Sequence, residues 1–450
     1  MEHQFQWKQE PEAESLLLSY HKRYIEVNTF LAGFEKQIQK HASSRLFDWV
    51  DHYSIPDSAT IDSELLSVGF TVDHKTSEYR VYIHLRAQLP EVVIYAKADI
   101  VGLAMSVESI SDFLFVNNLT SVIEGSPFSL YRRALVAKEH GVSFFVVERR
   151  GSKTMTPQIT EPAAILAYFG AKEIWQVRMR GGESQRDDVL MDEALVRAEC
   201  MVKLVGQDLA AWLVLECERF YWQARNTAGQ IQKNRQDRLG LGWANHDHHT
   251  FRSSRENFVK LVKLFEILGF HTRERFWAGV DAGWGAQVME NSSCGLVLFL
   301  DVDLAPEELD IDFSHQPLEA RAELGTIGLW CALHGDSILH SGMHHLEAQF
   351  IFDELTEELS QRGVGMMPAF SNFTYLKQAF TAGEVWPVKE VRITNLLNTG
   401  KITAHQAQKF QASGAIGSHL ENLQRRHGYK GFNQKNVSVI IKETDPRKNV

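Results

Sequence analysis

Apolar positions recur at three- and four-residue intervals near the start of the chain. Leu17, Leu18, Tyr24, Ile25, Phe30, Leu31 and Phe34 follow this rhythm, which predicts a helix over residues 13–42. The rhythm changes over residues 47–150. There, short β-rich runs, "YRVYIHL" (79–85), "EVVIYA" (91–96), "GLAMSV" (102–107) and "VSFFVVE" (142–148), are separated by helical stretches. Residues 161–238 carry little strand signal, and 187–232 read as long and helical with a break near Gly206. Strand character resumes at His246. An amphipathic helix over 254–268 follows, with Phe258, Leu261, Val262, Leu264, Phe265 and Leu268 on one stripe and Gly269 at its C-terminal turn. "GLVLFLDVDL" (295–304) and "HHLEAQ" (344–349) read as strands, the second followed by a helix over 352–363. A last helical region, about 395–427, leads into "NVSVIIKE" (436–443) and a charged tail.

The two β-rich regions share an order. "DHYSI" (51–55) matches "DHHTF" (247–251), and each is followed by a helical stretch ending in Gly-Phe, at 69–70 and 269–270. Each then reaches an Ala-Gln pair, at 87–88 and 286–287, and a Gly-Leu strand, at 102 and 295. This repetition predicts a duplicated βαβββ unit. The expectation is an α+β chain in four parts. These are an N-terminal α+β half (1–160), a helical insert (161–240), a second α+β half (241–395) and a C-terminal helical segment with a tail (396–450).

Composition narrows the function classes. The chain has 450 residues, 44% of them hydrophobic and 23% charged, which supports a substantial core rather than a disordered polyelectrolyte. A net charge of −10 without a basic stripe argues against nucleic acid as a partner. Cys200, Cys217, Cys294 and Cys331 are scattered without a CxxC pair, so a zinc ribbon or disulfide framework is not expected and a reducing cytoplasm fits best. The N-terminus lacks the pattern of a signal peptide, and no apolar run is long enough to span a membrane. Histidine stands out. Nine of 19 fall in residues 246–345, where an even scatter would place about four.

Those histidines lie in two strand candidates. In 246–252, alternation puts His246, His248, Thr250 and Arg252 on one face, and Asp247, His249 and Phe251 on the other. With the first face in a cleft, His248 can ligate a metal. Arg252, about 13 Å further along the strand, can reach back to grip a carboxylate bidentately. The bland alternative is a polar strand end leading to a helix capped by Ser253 or Ser254. In 344–349, His345, Glu347 and Gln349 share a face, which makes His345 and Glu347 plausible ligands. Two histidines and one carboxylate with open positions form a non-haem iron(II) set. The carboxylate candidates are Glu290, Glu347, Glu384 and Glu390, and "KEVRI", read as a strand start, favours Glu390. No P-loop, GxGxxG or GxSxG element is present.

The βαβββ repeat, with a ligand on its first strand and "LGF" closing its helix, resembles the vicinal oxygen chelate superfamily of glyoxalases, extradiol dioxygenases and related metalloenzymes. Within it, "DHHTFRSSRENFVKLVKLFEILGF" (247–270) is most similar to the 2-oxoadipate dioxygenase/decarboxylase group. The resemblance spans roughly residues 245–395. It implies an iron(II) enzyme that converts a 2-oxo acid to a 2-hydroxy acid with loss of carbon dioxide. It also implies His248 as first ligand, Arg252 as the substrate-carboxylate arginine, His345 as second ligand and Glu390 as third. Another divalent metal with glyoxalase-like isomerase or lyase chemistry, or a non-catalytic small-molecule binder, would use the same fold. In the N-terminal half, His52 matches His248, but Pro56 stands where Arg252 would be, and Glu148 is the nearest counterpart of a carboxylate ligand. That half is expected to be a degenerate, structural copy. The helical insert is a candidate homodimer element.

Overall fold

A computed structural model describes residues 7–97, 100–181, 186–433 and 444–447. The run "NVSVIIKE" and most of the loop over 180–186 lie outside the described residues.

The β-rich regions resolve into four βαβββ units rather than two. In the first, β1 (Val50–Ser54) leads through the helix Ile61–Ser67 to β2 (Thr71–Lys75), β3 (Tyr79–Ile83) and β4 (Glu91–Tyr95). In the second, β5 (Gly102–Ser106) leads through Ile110–Val116 to β6 (Ile123–Glu124), β7 (Tyr131–Glu139) and β8 (Val142–Arg149). The third has β9 (His246–Arg252), the helix Phe258–Ile267, β10 (His271–Trp277), β11 (Trp284–Asn291) and β12 (Leu296–Asp303). The fourth has β13 (His345–Gln349), the helix Phe352–Ser360, β14 (Ser371–Phe373), β15 (Leu376–Phe380) and β17 (Ala415–Arg425), with one additional short strand, β16 (Glu384–Trp386), inserted before the last. Units pair through their first strands. The sheet orders are β2-β3-β4-β1-β5-β8-β7-β6 and β10-β11-β12-β9-β13-β17-β15-β14, with β16 beside β17. The duplicated α+β architecture expected from the sequence is therefore present, doubled once more.

Each sheet buries its helix-facing side in a large apolar cluster. The first packs on Pro11–Val27 and Thr29–Ala42, and the second on the inserted helices. The single N-terminal helix expected over 13–42 is two helices. Asn28 breaks it, accepting a bond from Leu31 N while its amide donates to Val142 O at 3.2 Å. The insert is helical as expected, and Gly206, at φ +81°, divides it where the periodicity weakens. No helix among the described residues is long and apolar enough to cross a membrane.

Two further expectations are corrected. The region about 395–427 is not helical throughout. Helices Glu390–Asn398 and Ala404–Ser413 end at Gly414, and β17 follows in the centre of the second sheet. Leu420 and Leu423 sit three apart and mimic helical spacing, but both faces of β17 are buried, so its polar residues lie inside. Gly414 (φ +73°) marks the change, because a Cβ there would stand 2.4 Å from Trp386 O. In addition, "KEVRI" is a helix start and not a strand start. Glu390 is the exposed first residue of Glu390–Asn398, where a carboxylate suits the helix dipole.

Candidate metal centre

Strand pairing brings the chemistry together. His248 on β9 stands opposite Glu347 on β13, and Glu347 stands opposite Glu421 on β17. Strands lie about 4.8 Å apart, so these three side chains form one row across the sheet. One step along, Thr250, His345 and His419 form the next row. Ligand atoms of His248, His345, Glu347 and Glu421 all lie within 4.8 Å of one another. All four are buried, between 0% and 6% exposed. His345 Nε2 is 2.8 Å from Glu421 Oε2, and His248 Nε2 touches Glu347 Oε2. Gln378 donates to Glu421 at 3.2 Å and to Glu347 at 3.4 Å.

Burial sets the electrostatics. It pushes the Glu421 carboxyl up to about 8 and Glu347 well above its usual range, the latter raised further by Glu421. It holds the imidazoles of His248 and His345 below their ordinary value, with Arg252 adding to the effect at His345. Two buried carboxylates that repel one another, beside two imidazoles that resist protonation, suit a divalent cation. The fit is supported by Glu347 Oε2, which has no hydrogen-bond donor. Two nitrogen and two carboxylate donors match iron(II), manganese(II), zinc(II) or their neighbours.

His248 is braced from behind. Its Nδ1–H donates to Asp247 Oδ1 at 3.2 Å, and Arg425 donates to both Asp247 oxygens at 3.1 Å. The Arg425 guanidinium holds the Asp247 carboxyl well below the usual range despite its burial. A carboxylate behind a ligating imidazole fixes its tautomer and orientation. This brace depends on a β-bulge, since the register slips between the pairs His248–Glu347 and His246–Ala348, leaving Asp247 as the extra residue. Strict alternation therefore fails at the strand start. Asp247 joins the His248 side, and His246 turns away to pack on His249, ring centroids 5.2 Å apart, and to donate to Trp243 O. His246 is thereby removed from the ligand candidates.

The other candidates separate as clearly. Arg252 lies on the same strand, 3% exposed, with Nε and Nη1 lacking partners and its guanidinium 5.5 Å from the Trp330 ring. Its nearest carboxylate, Asp301, is 3.8 Å away and is pushed up to about 7 by burial. Phe299 and Phe432 pack on His248 at 4.8 and 5.0 Å, and Phe380 packs on His345 at 5.2 Å. Glu290 is paired with Lys430 at 3.0 Å, and Glu384 accepts from Thr227 N at 2.9 Å. Neither they nor Glu390 belongs to the cluster. Glu421 was missed because its strand was read as helix. The Gly414 stop followed by the alternation of His419 and Glu421 was the available signal.

The N-terminal half repeats the scaffold without the ligands. His52 stands opposite Ala104, and Ala104 opposite Phe145, in the row that holds His248, Glu347 and Glu421 in the other half. Gly102 takes the place of His345. The brace survives: Asp51 is again the bulged residue, lies 2.7 Å from His52 Nδ1 and pairs with Arg149 at 2.7 Å. Glu148 points to the helix side, accepting from Ile110 N at 2.6 Å and pairing with Arg132 and Arg150.

No family model matches the sequence. No curated protein matches it either. Among solved structures, a variant of 4-hydroxymandelate synthase from Streptomyces coelicolor is similar at 12% identity, covering 88% of this chain and 97% of that one, with a TM-score of 0.29. Methylmalonyl-CoA epimerase from Mycobacterium tuberculosis is similar at 11% identity over 40% of this chain and 88% of that one, with a TM-score of 0.24. At such values the fold assignment rests on the strand order itself. Paired βαβββ units make up that order, with His248, His345 and Glu347 on first strands and Glu421 on a last strand.

Proposed function

We propose that this chain is a metal-dependent enzyme of the vicinal oxygen chelate type, acting on a small 2-oxo carboxylic acid by dioxygen-dependent oxidative decarboxylation. The observation that carries the reading is the convergence of His248, His345, Glu347 and Glu421 from three adjacent strands, with the incompletely paired Arg252 on one of them. Iron(II), held by His248, His345 and Glu421, would supply Lewis acidity toward the 2-oxo-acid chelate and a redox centre for dioxygen. The remaining work belongs to the protein. Arg252, whose free N–H groups have no full anionic partner, binds the substrate carboxylate. Trp330 fixes the plane of that guanidinium. Gln378 orients both glutamates, and the Asp247–Arg425 brace orients His248. Phe299, Phe380 and Phe432 exclude water around the ligands.

One observation favours the alternative. Glu347 is a fourth potential donor, which would occupy a position that dioxygen chemistry needs open and would provide a base for isomerase or lyase chemistry with another divalent metal. The test combines metal analysis with oxygen uptake on 2-oxoadipate and related 2-oxo acids. Stoichiometric iron and oxygen consumption that disappear in His248→Ala support the proposal. Turnover of a 2-oxo substrate without oxygen would select the alternative. Protein that binds no divalent metal would sink both.

A further inference from the structure

His345, the second proposed ligand, has a partner at each ring nitrogen. Its Nε2 faces Glu421 at 2.8 Å, and its Nδ1 lies 2.9 Å from Nδ1 of His344. Nε2 is therefore the atom free to meet a metal. A neutral imidazole that ligates through Nε2 carries its proton on Nδ1. The bond between the rings then has one sense: His345 Nδ1–H donates and His344 Nδ1 accepts. A protonated His344 would put a hydrogen on both Nδ1 atoms of this short contact, so His344 is neutral, with its proton on Nε2.

The His344 ring has no competing use. It is 1% exposed, and its Nε2 has no hydrogen-bond partner. Among the described residues, the contact with His345 is its one side-chain hydrogen bond. Its place is fixed from several sides. His344 N donates to Thr250 O at 2.9 Å, and His344 O accepts from His419 N at 3.2 Å. The Trp330 and His419 rings pack on the imidazole at 5.5 and 5.3 Å. His344 stands just before β13, two residues after Gly342 at φ +75°, so strand alternation does not send its side chain to the opposite face. Its ring centroid lies 5.1 Å from that of His345.

The N-terminal half provides an internal comparison. There Gly102 stands in the place of His345 and Val101 in that of His344. Val101 O accepts from Ser143 N, as His344 O accepts from His419 N. That half keeps the Asp–Arg brace without ligands, whereas the second imidazole occurs only beside the ligand histidine.

We infer that His344 is a positioning residue of the metal centre, an imidazole acceptor behind His345 that fixes the tautomer and aim of that ligand. The two histidine ligands are then unequal. His248 is backed by a charged carboxylate and His345 by a neutral ring, which polarises it less. The inference rests on the metal centre proposed above and not on the reaction assigned to it.

The test uses the full chain, cleared of metal by a chelator and titrated with cobalt(II) against a chromophoric competitor. His344→Asn places an amide oxygen near the position of Nδ1 and keeps the acceptor. His344→Gln carries its amide further out, towards the position of Nε2, and leaves His345 Nδ1–H unpaired. Cobalt(II) affinity should fall about tenfold in His344→Gln and stay within about twofold of wild type in His344→Asn. The cobalt(II) absorption bands, which report ligand geometry, should shift in His344→Gln alone. Unfolding in chelator should weaken both variants alike, because both lose the same ring contacts. Equal affinities in all three proteins, or equal weakening in both variants, overturn the inference and leave the metal centre standing. Absence of cobalt(II) binding by the wild type overturns both. Should the variants not fold, histidine nitrogen resonances of the isotopically labelled, zinc(II)-loaded wild type decide. His345 should carry its proton on Nδ1 and His344 on Nε2, and a proton on His344 Nδ1 overturns the inference.

Discussion

Replacing Asp247 by asparagine separates the structural and chemical roles of the brace behind His248. Asp247 is 8% exposed and its partner Arg425 4%, so the change leaves a guanidinium buried without its counter-charge. Breaking a buried pair from one side costs about 3–5 kcal/mol. Arg425 also donates to the carbonyls of Tyr429 and Gly431, which keep part of its hydrogen bonding and favour the lower end, about 3 kcal/mol. The second effect is on the metal. Asparagine still accepts a bond from His248 Nδ1–H but no longer polarises the ring, so affinity should fall roughly 10–100-fold, about 1.4–2.7 kcal/mol. The N-terminal half supplies the control. Asp51→Asn breaks the same bulge-borne brace with Arg149, in a row whose other members are Ala104 and Phe145. Denaturant unfolding in chelator should show similar losses for both variants, while competitive metal titration should show weakening for Asp247→Asn alone. Equal metal affinity in Asp247→Asn and wild type would refute the role of Asp247, and equal weakening by Asp51→Asn would refute the assignment of the site to the second half.

Other outcomes follow from the same geometry. Arg252→Lys keeps a charge but loses the planar fork, and kcat/KM for a 2-oxo acid should fall about 100-fold, with metal content unchanged. Glu390→Gln should bind metal as wild type does, whereas Glu421→Gln should lose it, as read by metal analysis after dialysis. Glu421 titrates near 8 in the metal-free fold against about 4.3 in the unfolded chain, so the native state holds its proton more tightly. Its stability contribution is therefore complete below about pH 4.3 and is lost as pH rises towards 8. Metal binding needs the deprotonated form, so affinity should instead climb over that interval and level off above it. Unfolding curves in chelator and metal titrations across about pH 6–9 check the two opposite slopes.

Some of the site was legible because strand periodicity is a local property. His248, Arg252, His345 and Glu347 share faces of two short strands, and alternation alone places each pair correctly. The inserted helices and the break at Gly206 were equally local, set by apolar spacing and one residue at positive φ. Two residues defeated the same rule. Asp247 and His246 exchanged faces because a bulge adds a residue to β9, and a bulge is defined by the partner strand rather than by the strand that carries it. Glu421 was not among the carboxylate candidates because leucines three apart imitate a helix when the strand is buried on both faces.

By itself, the sequence determined the duplicated α+β plan, the two histidine-bearing strands and the arginine four residues beyond His248. Each follows from the 2.0- or 3.6-residue repeat of a single element. Only the tertiary structure decided which carboxylates meet the histidines, that four units rather than two build the chain, and that the N-terminal half keeps the Asp–Arg brace without ligands. Those outcomes depend on cross-strand register, which joins residues as distant as His248 and Glu421 in one row and is fixed by sheet order and bulges that no local pattern encodes.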